Sequence, residues 1–246
     1  TLPRDGSVAL KNITLEKGTL VVCGPRSRDL LSKISDANLS NEGFPWLTSK
    51  RITVAGVSLL ALRVNFVGEL GWELHHPIEQ QVQLFDAIIE AGGDFGLKHF
   101  GTYAMESMRV EKSYRMWGAD LTREYSILEA GLSRFVRLKK DEFVGKEALE
   151  KQIETGVPQE FVTLEIDVTD ADAMGSEPIF RNGEMIGRAT SGCYGHSVGK
   201  SLALAYVKSG NSDIGTEYEF EILGERLSAR VIPESPCDPE NEKLRA

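Results

Sequence analysis

The chain contains no run of about 18 apolar residues, the length that a membrane-crossing helix requires, so a helical span is excluded on length. Cysteine is scarce. Cys23, Cys193 and Cys237 are widely spaced and odd in number. That pattern argues against a disulfide framework and for reduced thiols in a cytosol-like compartment, the cytoplasm or, in a eukaryote, the mitochondrial matrix. Histidine is as sparse, with 4 in the chain, and no Cys/His cluster has the spacing of metal ligands. His75 and His76 close a strand pattern, where neighbours point to opposite faces, so no metal site is expected there. Positive charge is in deficit: 28 Lys and Arg stand against 37 Asp and Glu, a formal charge of −9. That balance disfavours nucleic acid, which demands a basic face. The densest basic group, Arg137 with Lys139 and Lys140, runs straight into Asp141 and Glu142 and reads as a solvated face. The start of the chain, Thr1-Leu2-Pro3-Arg4-Asp5, lacks the basic and apolar segments of a secretory signal. It also lacks an initiator Met, which reads as a processed chain or a piece of a longer one.

What is present is ordinary globular material: 246 residues, 41% apolar and 26% charged, enough for one large domain or two of usual size. The first part mixes helix and strand. Thr19 to Cys23 reads as a strand broken by Gly24-Pro25, and a helix follows from Ser27 through Ile34. Arg51 to Val57 and Leu59 to Phe66 read as strands joined near Gly56, with Trp72 to His75 as a third. Ile78, Val82, Phe85 and Ile89 recur at helical spacing up to a stop at Gly92-Gly93. A further helix is expected from Thr102 to Lys112, and a short one from Gly145. Beyond Gly156-Val157-Pro158 the texture changes to short alternating strands. Val162 to Val168 alternates, Asn182-Gly183 marks a hairpin, and Tyr218 to Ile222 faces Leu227 to Val231 across a Gly224-Glu225 turn. The expected architecture is α+β over residues 1–155, followed by a small antiparallel β-barrel or sandwich over residues 156–246.

Two segments set charge among core-type residues. In Phe66-Val67-Gly68-Glu69-Leu70-Gly71-Trp72-Glu73, the closing carboxylate follows two glycines that permit a turn or close backbone approach. Glu73 can lie on a solvent face or receive a ligand. In Met108-Arg109-Val110-Glu111-Lys112-Ser113-Tyr114, Arg109 needs a partner for its charge. That partner is Glu106, at helical spacing, or a ligand carboxylate or ring oxygen held by the planar fork. A carboxylate and a guanidinium in a partly apolar cleft suit a heterocycle with hydrogen-bonding edges. The glycine-rich run from Gly192 to Ser201 is one residue short of a phosphate loop and reads as a β-loop. Cys193 with His196 makes a poor nucleophile and base on spacing alone.

The first segment is similar to the Y-x-G-E-x-G-x-E motif of the glycine-cleavage T-protein family, the folate-dependent aminomethyltransferases. Arg109 to Gly118, Leu128 to Leu132, Phe143 to Leu149 and Thr190 to Val207 resemble the same family further along. Ser40 to Trp46, Trp117-Gly118 and Cys237-Asp238-Pro239 lean towards the C-terminal folate domain of dimethylglycine and sarcosine dehydrogenases. The resemblance implies tetrahydrofolate as cofactor and a one-carbon transfer that yields 5,10-methylenetetrahydrofolate in glycine, sarcosine or dimethylglycine catabolism. It places Glu73 on the pterin edge, Phe66 at a site position commonly Tyr, and Arg109 near the folate. A phenyl ring stacks but cannot donate a hydrogen bond. The family's catalytic aspartate belongs to an upstream G-G-x-x-D-like segment that has no match here, and the flavin fingerprint of the dehydrogenases has none either. The catalytic residue therefore stays unassigned, and a flavin dehydrogenase domain elsewhere in a longer chain is an expected partner. Two alternatives stay open: a non-catalytic folate-binding or regulatory module, and a folate-dependent demethylase of another methyl donor.

Overall fold

The computed structural model describes residues 2–246, which divide into two compact units: residues 2–99 with 241–246, and residues 100–240. The expected boundary at 155/156 falls inside the second unit, in the link between a helix and the first barrel strand.

The first unit is built on a four-stranded antiparallel sheet in the order β1-β4-β3-β2. Its strands are β1 (Lys17–Cys23), β2 (Ser49–Val54), β3 (Val57–Leu62) and β4 (Gly71–Pro77). Ala55 and Gly56 join β2 to β3 with φ of 49° and 79°, the left-handed pair of a tight hairpin turn. Alternation sorts the side chains. Val22, Leu59, Ala61, Trp72 and Leu74 are buried in one cluster with Leu30 and Leu31 of α1 (Ser27–Lys33) and Leu84 and Ile88 of α2 (Gln81–Gly92). Thr19, Val21, Leu60, Leu62, Glu73 and His75 occupy the other face, where register pairs Leu60 with His75 and Leu62 with Glu73. α2 runs on through a 3-10 turn to Gly96, whose φ of 69° supplies the left-handed stop expected of Gly92-Gly93. Gly92 instead lets Leu97 approach, since a Cβ there would lie 2.4 Å from that side chain.

The strand expected to run to Phe66 ends at Leu62. Arg63, 1% exposed, turns inward and donates from Nη1 to the Phe44 carbonyl at 2.9 Å. Asn65 Oδ1 then accepts from the Val67 amide, and Gly68 adopts φ 74°, so Phe66 lies half-buried in a loop. A second Arg63 nitrogen, Nη2, donates to the Ala246 carbonyl at 3.1 Å. A short terminal helix, Glu242–Arg245, thus joins this unit, with Leu244 buried.

The second unit opens with α3 (Thr102–Glu111) and α4 (Lys146–Thr155), then closes six strands into an antiparallel barrel. These are β5 (Gln159–Ile166), β6 (Pro178–Arg181), β7 (Glu184–Gly195), β8 (Lys200–Lys208), β9 (Glu217–Ile222) and β10 (Glu225–Ile232), in the closed order β10-β5-β8-β7-β6-β9. The barrel is the one expected from the alternating strands; its interior holds Leu164, Ile179, Ala203, Val207 and Phe220. Asn182 and Gly183 form the first hairpin turn, with φ of 53° and 79°. The last turn sits at Leu223 and Gly224, one residue earlier than expected, because Glu225 already pairs with Ile222. The glycine-rich run is the hairpin between β7 and β8, as read.

Candidate functional site

Within the first unit, Glu73 stands on the sheet face away from the helices, its side chain 29% exposed. Glu73 Oε2 lies 3.1 Å from His75 Nε2, and His75 Nδ1 lies 3.1 Å from the Thr19 hydroxyl. An ionised carboxylate can only accept, so Nε2 carries the imidazole proton and, in the neutral ring, Nδ1 accepts from Thr19. Among the described residues the other Glu73 oxygen accepts nothing, which leaves it for an incoming N–H. The two glycines of the motif serve the backbone. Gly68 makes the turn, and a Cβ at Gly71 would meet Cys23 Cβ at 2.7 Å, so only glycine lets β4 lie this close to β1. Burial and the nearby Glu69 carboxylate push the Cys23 thiol up to about 11.

Within the second unit, Arg109 is enclosed, its side chain 2% exposed. Nε donates to Glu106 Oε2 at 2.8 Å, and Nη1 to the Tyr114 carbonyl and to Asp120 Oδ2 at 2.9 and 2.7 Å. Nη2 donates to Ser191 Oγ at 2.7 Å. Asp120, fully buried, also accepts from Ser191 Oγ, Thr190 Oγ1 and the Met116 amide. A planar donor fork and a four-times-bonded carboxylate thereby fasten α3 and the loop after it to β7. Glu111 does the same two residues on. Buried, it accepts from the Ser197 and Val198 amides in the turn between β7 and β8. The pairing of Arg109 with Glu106 that helical spacing suggested is present, and the fork is occupied by the protein's own acceptors.

Beside this network lies a cavity of about 430 Å³ whose lining includes Glu106, Arg109, Met116, Cys193, Tyr194 and His196. That volume suits a small ligand. Desolvation raises the Cys193 thiol to about 12, so it is protonated at neutral pH and is no nucleophile. Trp117, in the loop after α3, is 82% exposed.

The structure therefore places Phe66 and Glu73 in one unit and Arg109 in the other. Sequence reasoning passed over His75 as a site residue and did not see how Asp120 and Glu111 are used. His75 carried a signal, since it shares a strand face with Glu73 at i, i+2. The pairing of Arg109 with Asp120 spans a loop and carried none.

Comparison with known proteins follows this geometry. The family model described as the GCVT N-terminal domain matches residues 1–140, and that of the glycine cleavage T-protein C-terminal barrel domain matches residues 159–238. The chain belongs to the glycine-cleavage T-protein family. Human mitochondrial dimethylglycine dehydrogenase is 42% identical over 228 residues, which cover 92% of this chain and 26% of that protein. Mouse mitochondrial sarcosine dehydrogenase is 38% identical over 236 residues, covering 93% of this chain and 26% of that protein. The chain thus spans about a quarter of the length of these T-protein relatives. The aminomethyltransferase T crystal structure from Bartonella henselae shares the fold. Its TM-score is 0.80 at 24% identity, over 91% of this chain and 60% of that one.

Proposed function

We propose that this chain is the folate-binding portion of an enzyme that passes a one-carbon unit to tetrahydrofolate. The reaction belongs to the catabolism of glycine, sarcosine or dimethylglycine. The carrying observation is Glu73: a half-exposed carboxylate, one oxygen held by His75 and the other free, on the strand that closes the T-protein motif. Such an acceptor fits the N–H edge of a pterin, and the ring of Phe66 offers a stacking face. His75 orients the carboxylate by donating to it. In the second unit, Arg109 holds Glu106 in place and lines the cavity there. When bound, tetrahydrofolate supplies the nucleophilic nitrogens that capture the one-carbon unit from an iminium-type donor. The length of the dehydrogenase relatives supports a flavin dehydrogenase domain as the partner that generates the donor. Their mitochondrial location and the reduced thiols here support a matrix or cytosol-like compartment.

Calorimetric titration of the chain with tetrahydrofolate tests this reading. Glu73→Gln, which keeps the shape and removes the charge, should weaken binding by ~1–3 kcal/mol. Unchanged affinity in that variant would remove Glu73 from the site, and an absence of binding in the parent chain would overturn the reading.

A further inference from the structure

The loop that carries Phe66 runs from Arg63, just after β3, to Leu70, just before β4. Within it, Asn65 Nδ2 donates to the Glu69 carbonyl, and the Val67 amide donates to Asn65 Oδ1 at 3.0 Å. Both flanks of the loop meet the segment 241–246. On the near flank, Arg63 Nη2 donates to the Leu244 and Ala246 carbonyls, at 3.4 and 3.1 Å. On the far flank, Lys243 Nζ donates to Glu69 Oε1 at 3.0 Å. The segment is itself fastened to other parts of the unit. Leu244 is buried, and the Asn41 side-chain amide donates to the Arg245 carbonyl at 3.1 Å. The Arg245 guanidinium lies 5.1 Å from the centre of the Trp46 ring, and Arg28 Nη2 donates to the Ala246 carbonyl at 2.7 Å. One short helix with an anchorage of its own therefore grips the loop at both ends.

Phe66 lies between the two grips, and Glu69 leads directly into the strand of Glu73 through the Gly71 that brings β4 against β1. A segment remote in sequence thus sets where the ring stands relative to that strand. We propose that Lys243 is a positioning residue: by holding Glu69, it keeps the loop in the conformation that presents Phe66 to the ligand of Glu73. The inference rests on the folate reading of that site. Lys243 touches no ligand in this scheme and acts through Glu69. A ligand that needs one conformation of a loop binds more weakly in proportion to the time the loop spends in others. The Lys243 side chain is 45% exposed and that of Glu69 17%. An ion pair so accessible contributes up to ~1 kcal/mol, which limits the effect on affinity to about fivefold.

The test pairs calorimetric titration of the chain with tetrahydrofolate and hydrogen exchange at the loop amides. Lys243→Met keeps the aliphatic stem and removes the charge. It should weaken tetrahydrofolate about fivefold and speed exchange of the Val67 amide, while exchange across the sheet stays as in the parent chain. Lys243→Arg should restore both. Glu69→Gln should reproduce the loss, and the double variant should lose no more than either single one. At high salt, which screens an exposed pair, the parent and Lys243→Met should converge. A direct attraction between Lys243 and an anionic ligand predicts the opposite for Glu69→Gln, because loss of that carboxylate frees the ammonium. Tighter binding in Glu69→Gln would therefore overturn the positioning role, and so would unchanged affinity in Lys243→Met. Glu73→Gln should weaken binding without altering loop exchange, which separates this role from the folate reading. An absence of binding in the parent chain would overturn that reading. Exchange at Val67 then decides the clamp, which stands if Lys243→Met speeds it and falls if it does not.

Discussion

The two units use buried charge in opposite ways. In the second, Arg109 and Asp120 are sealed from solvent and bonded on every side, and their work is to fix a helix to a barrel. In the first, Glu73 and His75 are a third exposed and hold one oxygen in reserve. The difference shows that a charged residue amid core positions carries no single message. A fully satisfied pair specifies structure, and a half-satisfied one at a surface is available for chemistry.

The strongest way to break that contrast is to unpair the sealed network. Asp120→Ala leaves the Arg109 guanidinium buried without its main counter-charge and should destabilise the second unit by ~3–5 kcal/mol. Urea unfolding would report it as a shifted midpoint, and a change no larger than that of a surface substitution would refute the structural role. Next in size is the core of the first unit. Leu244→Ala, in the terminal helix, should cost about 2 kcal/mol or more. The loss belongs to the first unit, readable through the fluorescence of buried Trp72, although Leu244 follows the barrel in sequence. Smaller again is Glu73→Gln, which should leave stability within ~0.5 kcal/mol while it weakens folate. A large stability loss there would move Glu73 into the class of Arg109 and erase the comparison.

The smallest effect concerns pH. In the barrel, hydrogen bonds from Lys200 and Arg230 hold the Glu165 carboxyl below its ordinary value. A depressed folded pKa contributes stability above the unfolded value, near 4.5, and that contribution is lost as pH falls through the folded one. Lys200→Met should therefore flatten the acid limb of a stability-against-pH curve by lowering stability at neutral pH and leaving it unchanged in strong acid, and the loss should be small because the pair is exposed. At the alkaline end the sign reverses. The raised thiols of Cys23 and Cys193 contribute below about 9 and cease to as pH rises through about 11 and 12.

The contrast also explains what could be read from the residues alone. Elements whose pattern is local were legible: the Asn182-Gly183 hairpin, the helix over Thr102 to Lys112, the alternation of β5. So was the antiparallel barrel, because regularly spaced hairpins have few other ways to bury both faces. The end of β3 was not legible, since it depends on Arg63 finding carbonyls far along the chain at Phe44 and Ala246. Nor was the membership of residues 100–155 in the same compact unit as the barrel. Contacts such as those of α3 with β7 and β8 reveal it, and those are non-local. In the candidate site, the motif glycines serve the backbone rather than a ligand's approach. They shape the turn and the approach of β4 to β1, and Glu73 is carried along by that geometry. Arg109 was legible as a residue needing a partner, but not as one with so many.

The terminal segment 241–246 has a consequence for how the protein is made. A ribosome delivers residues 2–99 before the barrel, yet two carbonyls that Arg63 reaches, those of Leu244 and Ala246, are delivered after it. Until then a guanidinium destined for the interior stands without part of its acceptor set, while the barrel has every strand it needs. Vectorial synthesis would thus complete the later unit before the earlier one.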